Sequence, residues 1–170
     1  MQATNEVRRR LHSHQQNVYV IVEPTTQTDC KKLTLTNKTT DNMTKIFFAP
    51  QLYIKSGVHD IGFYTEGLGA VELRRWTNDD GSLHVAELSI NGALFHIHEE
   101  KPGSGQYEPT KNNGVTTLIG LFVVDVDTVM SKALNAGATL LNPAQNYDYG
   151  YRQGKFKDPF GHHWLIETKI

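Results

Sequence analysis

The chain has 170 residues, with 17 basic and 18 acidic side chains and a formal net charge of −1, which suits one domain or two small packed repeats able to bury a core without covalent staples. The balanced charge offers no field of one sign, so neither nucleic acid nor a membrane surface is an expected partner. Cys30 is the single cysteine, which rules out an internal disulfide and a zinc site built from several thiolates; with no apolar run of transmembrane length and no signal-peptide core, a reducing, cytoplasmic setting is expected.

Residues 1–44 differ from the rest. "RRRLHSHQQ" is basic and polar, and "TTQTDCKKLTLTNKTTDN" is dominated by Thr, Lys, Asn and Asp. The short runs "NVYVIV" and "KLTLT" allow a small hairpin or an added strand, but the composition argues for a loosely held polar arm. Met43 offers an alternative natural start, directly before a dense strand signal. From Ile46 the pattern is regular. "IFFAPQLYIKS" predicts a strand and "GVHDIGFYTEGLG" a helix, with Gly67 and Gly69 suited to its C-terminal cap. "AVELRRWTN", "SLHVAELSI" and "ALFHIHEE" predict three strands, joined by turns at Asp79–Gly81 and Asn91-Gly92.

"KPGSGQYEPTKNNG", residues 101–114, reads as a linker. The order then recurs. "VTTLIGLFVVD" predicts a strand, and "VDTVMSKALNAG" a helix with Val126, Val129, Met130, Ala133 and Leu134 apolar, Asp125 or Asp127 at its start and Gly137 at its end. "ATLLNPAQ" predicts a strand broken at Pro143, followed by strands in "YGYRQGKFKD" and "HHWLIETK". Aligning the punctuation, Gly69 with Gly137 and Gly92 with Gly161, gives offsets of 68 and 69 residues. This places Ala93 opposite His162, Phe95 opposite Trp164, His96 opposite Leu165 and His98 opposite Glu167. The expected class is therefore α+β: module one over 45–100, a linker over 101–114 and module two over 115–170. Each module reads β-α-β-β-β, and two can bury sheet faces that neither buries alone.

"GFYTEGLGAVELRRW", "VVDVDTVMSKALNAGATLLNP" and "YGYRQGKFKDPFGHHWLIET" together resemble the vicinal oxygen chelate superfamily, the glyoxalase, bleomycin-resistance and extradiol-dioxygenase fold, in its PhnB-like branch. The resemblance spans Ile46 to Ile170 and implies a U-shaped mixed sheet of paired modules around a cleft. It also implies a divalent metal, held in metal-using members by His, Gln or Glu from the first and last strands of each module. Here those four slots fall near Ala49, at His96, near Leu118 and at Leu165. His96 can ligate; Leu118 and Leu165 cannot.

A shifted set of Gln51, His96, His98 and Glu167 would offer nitrogen and oxygen ligands to zinc, manganese or iron, because residues two apart share a strand face. The alternative is that His96 and His98 line a polar cavity or a dimer seam and that Glu167 is a solvated strand end. Tyr147, Tyr149 and Tyr151 beside Arg152 could close over a planar or anionic ligand, or could be cross-strand packing. Trp164 completes the candidate cleft residues. His162 and His163 read as turn and rim residues; the informative position beside them is Leu165.

Two functions follow. One is a metal-free protein that binds a small molecule in the cleft, as bleomycin-resistance proteins do, with a homodimer expected because those relatives form clefts at subunit interfaces. The other is a metal-dependent lyase, isomerase or dioxygenase using the shifted ligands. The vacant slots at Leu118 and Leu165 favour the first.

Overall fold

The computed structural model describes residues 48–112 and 114–170. The polar arm over 1–44 lies outside the described residues. The chain divides into Met1–Ile46 and Phe47–Ile170, and every described element belongs to the second unit. Its order is β1 (Gln51–Ile54), α1 (Gly62–Leu68), β2 (Val71–Thr77), β3 (Leu83–Ile90), β4 (Ala93–Glu99), β5 (Leu118–Phe122), α2 (Val126–Asn135), β6 (Thr139–Tyr147), β7 (Tyr151–Lys157) and β8 (His163–Lys169), with a single 3-10 turn at Pro109–Asn112 before β5. The two β-α-β-β-β modules are as the repeat required. Among the described residues, no helix is long and apolar enough to cross a membrane.

Each module makes one four-stranded mixed sheet, ordered β1-β4-β3-β2 and β5-β8-β7-β6. In each, the first strand runs parallel to the last, with Gln51 beside His96 in one sheet and Gly120 beside Leu165 in the other. Both pairs are 69 residues apart, so the repeat read from turn glycines is also the repeat in register.

Three local expectations change. The first helix begins at Gly62, five residues later than the apolar pattern suggested; Ile61 makes no side-chain cap, and the Asp60 carboxylate accepts the Gly62 backbone N–H at 2.7 Å. Only Gly69 caps this helix, in the left-handed region at φ 66°. Gly67 lies inside it and faces α2, where a Cβ would come within 3.1 Å of Ala136 and 3.3 Å of Ala133. Pro143 does not break its strand. β6 runs through it as an edge strand, with register shifts on both sides of Asn142 absorbing the missing donor. Asp125, not Asp127, caps α2 by accepting the Thr128 backbone N–H at 3.0 Å.

One core serves both modules. Leu52, Ile54, Leu88, Phe95 and Ile97 of the first sheet join Phe156, Trp164 and Ile166 of the second around Phe63, Tyr64, Met130 and Ala133 of the helices. Burying each large side chain contributes about 1.5–3 kcal/mol. At the junction, the carboxylate of Asp158, 1% exposed, accepts four hydrogen bonds. Oδ1 takes the backbone N–H groups of Phe160 and His162, each at 2.9 Å. Oδ2 takes the Tyr64 hydroxyl at 3.1 Å and Trp164 Nε1 at 3.0 Å. His162, 9% exposed, places Nε2 at 2.9 Å from the carbonyl oxygen of Tyr53, tying the mouth of β8 to β1. Burial holds its imidazole below the usual histidine pKa, against the opposing pull of Asp158.

Candidate functional site

Strand parity decides what each sheet offers. In module one, Leu52, Ile54, Phe95 and Ile97 enter the core, so Gln51, Tyr53, His96 and His98 lie on the opposite, open face. Register then builds two rows across that face. Arg74, Glu87, His96 and Gln51 are consecutive partners, and so are Trp76, Val85, His98 and Tyr53.

The first row is a polar chain. Arg74 Nε lies 3.8 Å from Glu87, and Glu87 lies 3.6 Å from His96 Nε2. The Gln51 side-chain amide donates to His96 Nδ1 at 3.1 Å. With Nδ1 accepting, the neutral ring carries its proton on Nε2, facing Glu87 from beyond hydrogen-bond length. In the second row, His98 stacks on Tyr53 with centroids 5.5 Å apart. Burial and the neighbouring imidazoles of His96 and His84 hold His98 below the usual histidine pKa. The Nε2 atoms of His96 and His98 are buried and have no hydrogen-bond partner among the described residues.

In module two, Phe156, Trp164 and Ile166 fill the core, so Gln153, Lys155, Leu165 and Glu167 take the open face. There a cavity of about 440 Å³ is lined by Leu118, Asn142, Tyr147, Tyr149, Gln153, Gly154, Lys155 and Leu165. Its aromatic wall comes from the β6–β7 turn, where Tyr147 and Tyr149 stack at 5.1 Å. Tyr151 lies 6.0 Å from Tyr149 and 6.4 Å from Phe122. A hydrogen-bond chain fixes the wall. Tyr149 donates to Gln153 Oε1 at 2.6 Å, and Gln153 Nε2 donates to Glu167 Oε2 at 2.7 Å. Glu167 is 8% exposed, and its other oxygen lies over Gly120, where a Cβ would approach within 3.2 Å.

Gln51, His96 and His98 therefore come together on module one, whereas Glu167 sits on the other sheet behind Gln153. Among the described residues, no three His, Cys, Asp or Glu side chains form a group that could hold a metal ion. The described residues thus do not fit the full metal set the resemblance implies: Ala49, Leu118 and Leu165 cannot ligate, and the shifted set is divided between two sheets.

Two expected cleft residues face elsewhere. Trp164, 2% exposed, belongs to the core, since it is adjacent to Leu165 and points the opposite way. Arg152 turns toward α2, where its guanidinium meets Asp127 at 2.6 and 2.8 Å and Asn146 at 2.8 Å. Tyr53, Val85, Glu87, Asn142, Gln153 and Lys155 of these faces had not been singled out. Parity from Phe156 exposes the two on β7.

Residues 60–166 match the model of the Glyoxalase/Bleomycin resistance protein/Dioxygenase superfamily. An uncharacterized protein of Mycobacterium bovis is 39% identical over 125 residues, covering 72% of this chain and 82% of its own. Among solved structures, a gene product of Arabidopsis thaliana superposes with a TM-score of 0.57 at 23% identity, covering 73% of this chain and 99% of that one. TioX from Micromonospora sp. ML1 gives a TM-score of 0.56 at 20% identity, covering 72% and 99%. At these identities the two structures share the fold with this chain.

Proposed function

Because the chain belongs to the Glyoxalase/Bleomycin resistance protein/Dioxygenase superfamily, we propose that it binds a small molecule in the trough of its second module, without the family's full metal site within one chain. The observation that carries this reading is the trough itself. Where metal-using relatives place ligands, Leu118 and Leu165 line the cavity, beside a stacked tyrosine wall held by Gln153 and Glu167. Apolar and aromatic lining with a few fixed polar groups is the usual make-up of a ligand site. The three motif segments support the PhnB-like branch, and the lone Cys30 fits a reducing, cytoplasmic setting.

The protein acts as a homodimer on this reading. The open faces carry exposed apolar side chains, Val71, Leu73 and Trp76 on module one and Leu118 and Tyr149 on module two. A second copy would cover them, bringing the His96 row of one chain toward the trough of the other.

The unpartnered Nε2 atoms of His96 and His98 favour a second reading, in which a divalent metal binds module one and serves a lyase, isomerase or dioxygenase reaction. A thermal-shift screen of small aromatic metabolites and of zinc, manganese and iron(II) separates the two. Stabilisation by aromatic compounds supports the trough reading. Stabilisation by metal alone, lost in His96→Ala, contradicts it.

A further inference from the structure

Lys155 stands in the middle of β7, between Asn142 of β6 and Leu165 of β8 in the trough. A half-buried lysine lays its stem along the sheet and presents its ammonium to the open space beside it. Among the described residues Lys155 has no carboxylate partner: the lysine and arginine ion pairs are those of Arg74, Arg75, Lys111 and Arg152. Among the described residues, no acidic side chain lines the cavity. Glu167, the buried carboxylate of the same face, is separated from the cavity by Gln153, whose amide nitrogen it accepts at 2.7 Å. Tyr149 spends its proton on Gln153 at 2.6 Å, and Gln145 donates to the Tyr147 hydroxyl at 2.7 Å. The groups that remain to address a ligand are one ammonium, the Asn142 amide, the Tyr147 O–H, whose proton the Gln145 bond leaves free, the tyrosine rings and the two leucines.

We propose that the ligand of this trough is an aromatic carboxylate, its ring against Tyr147 and Tyr149 and its carboxylate on Lys155 and Asn142. This rests on the reading of the trough as the ligand site and adds the charge of the ligand. One cation with two neutral donors, the Asn142 amide and the Tyr147 hydroxyl, suits a single negative charge; a phosphate dianion would call for more than one cation. A cationic ligand would meet the ammonium and no anion. A cavity of about 440 Å³ has room for a two-ring compound.

The test is calorimetric titration of the full chain at pH 7.5 with 2-naphthoate, its neutral methyl ester and the cation 2-naphthylmethylamine. The acid binds about tenfold or more tightly than the ester, and the amine is the weakest. Lys155→Met, which keeps the aliphatic stem, abolishes the preference for the acid and leaves ester affinity within about twofold; Lys155→Arg restores most of it. Ester and acid binding equally to the native protein would overturn the charge assignment while leaving the trough as ligand site. Failure of all three compounds would overturn both. A preference for the acid that survives Lys155→Met would overturn the role of Lys155.

Discussion

Replacing Asp158 by Asn tests the junction that holds the two modules together. The two side chains are nearly isosteric, but Asn offers one acceptor oxygen and one donor amide. The oxygen can keep the backbone N–H groups of Phe160 and His162. The amide then points its hydrogens at the Tyr64 hydroxyl and Trp164 Nε1, which in the native protein donate at 3.1 and 3.0 Å. Burial and the Asp158 charge hold the Tyr64 phenol well above its ordinary pKa, so it stays protonated, and its oxygen can accept an amide hydrogen once the hydroxyl turns. Trp164 Nε1 is a donor only and is opposed by the amide. The Trp164 bond to a charged acceptor is therefore lost, at about 1–3 kcal/mol, and the Tyr64 bond becomes a neutral one, at about 0.5–1.5 kcal/mol. The sum, roughly 1.5–4.5 kcal/mol, lowers the melting temperature by about 3–18 °C for a chain of this size. Urea unfolding followed by tryptophan emission reads it, because Trp164 is in the core. Tyr64→Phe alone costs only about 1 kcal/mol, since three donors remain on the carboxylate. An Asp158→Asn protein melting within about 2 °C of native would refute the reasoning.

The pH dependence follows from His162 and His98, whose folded pKa values lie below the histidine reference of 6.5. The unfolded chain binds more protons just below that pH, so stability is complete above about 6.5 and falls as pH drops toward the folded values. Chemical denaturation between pH 7.5 and 5 shows this slope, and His162→Gln reduces it; an unchanged slope would remove His162 as its source. Light scattering at micromolar concentration returns the mass of a dimer, and Trp76→Glu on the open face of module one shifts it toward monomer; a strict monomer in the native protein contradicts the dimer.

The repeat was legible because its evidence is local. Turn glycines and helix-ending Gly-Ala pairs set an offset that strand register reproduces between Gln51 and Gly120 and between His96 and Leu165. The site was only half legible, and parity explains much of the rest. Trp164 and Leu165 cannot both face a cleft, because successive strand side chains point to opposite sides; the buried ring shows which one turned inward. Lys155 was readable by the same rule from its neighbour Phe156. Nothing local indicated that Arg152 would pair with Asp127, 25 residues away on a helix. The same holds for Asp158 and Tyr64, 94 residues apart, because such contacts depend on how the modules pack. The division of the histidines and Glu167 between two sheets has the same origin.

Filling the trough tests the central claim most directly. Leu165→Trp puts an indole into the cavity from its lining, on the face turned away from the core, so the protein still folds. Titration of native and variant protein with the aromatic compound that most stabilises the native chain should show affinity falling at least tenfold in the variant while its melting temperature stays within about 5 °C of native. Native-like affinity in Leu165→Trp would contradict the account and place the ligand elsewhere.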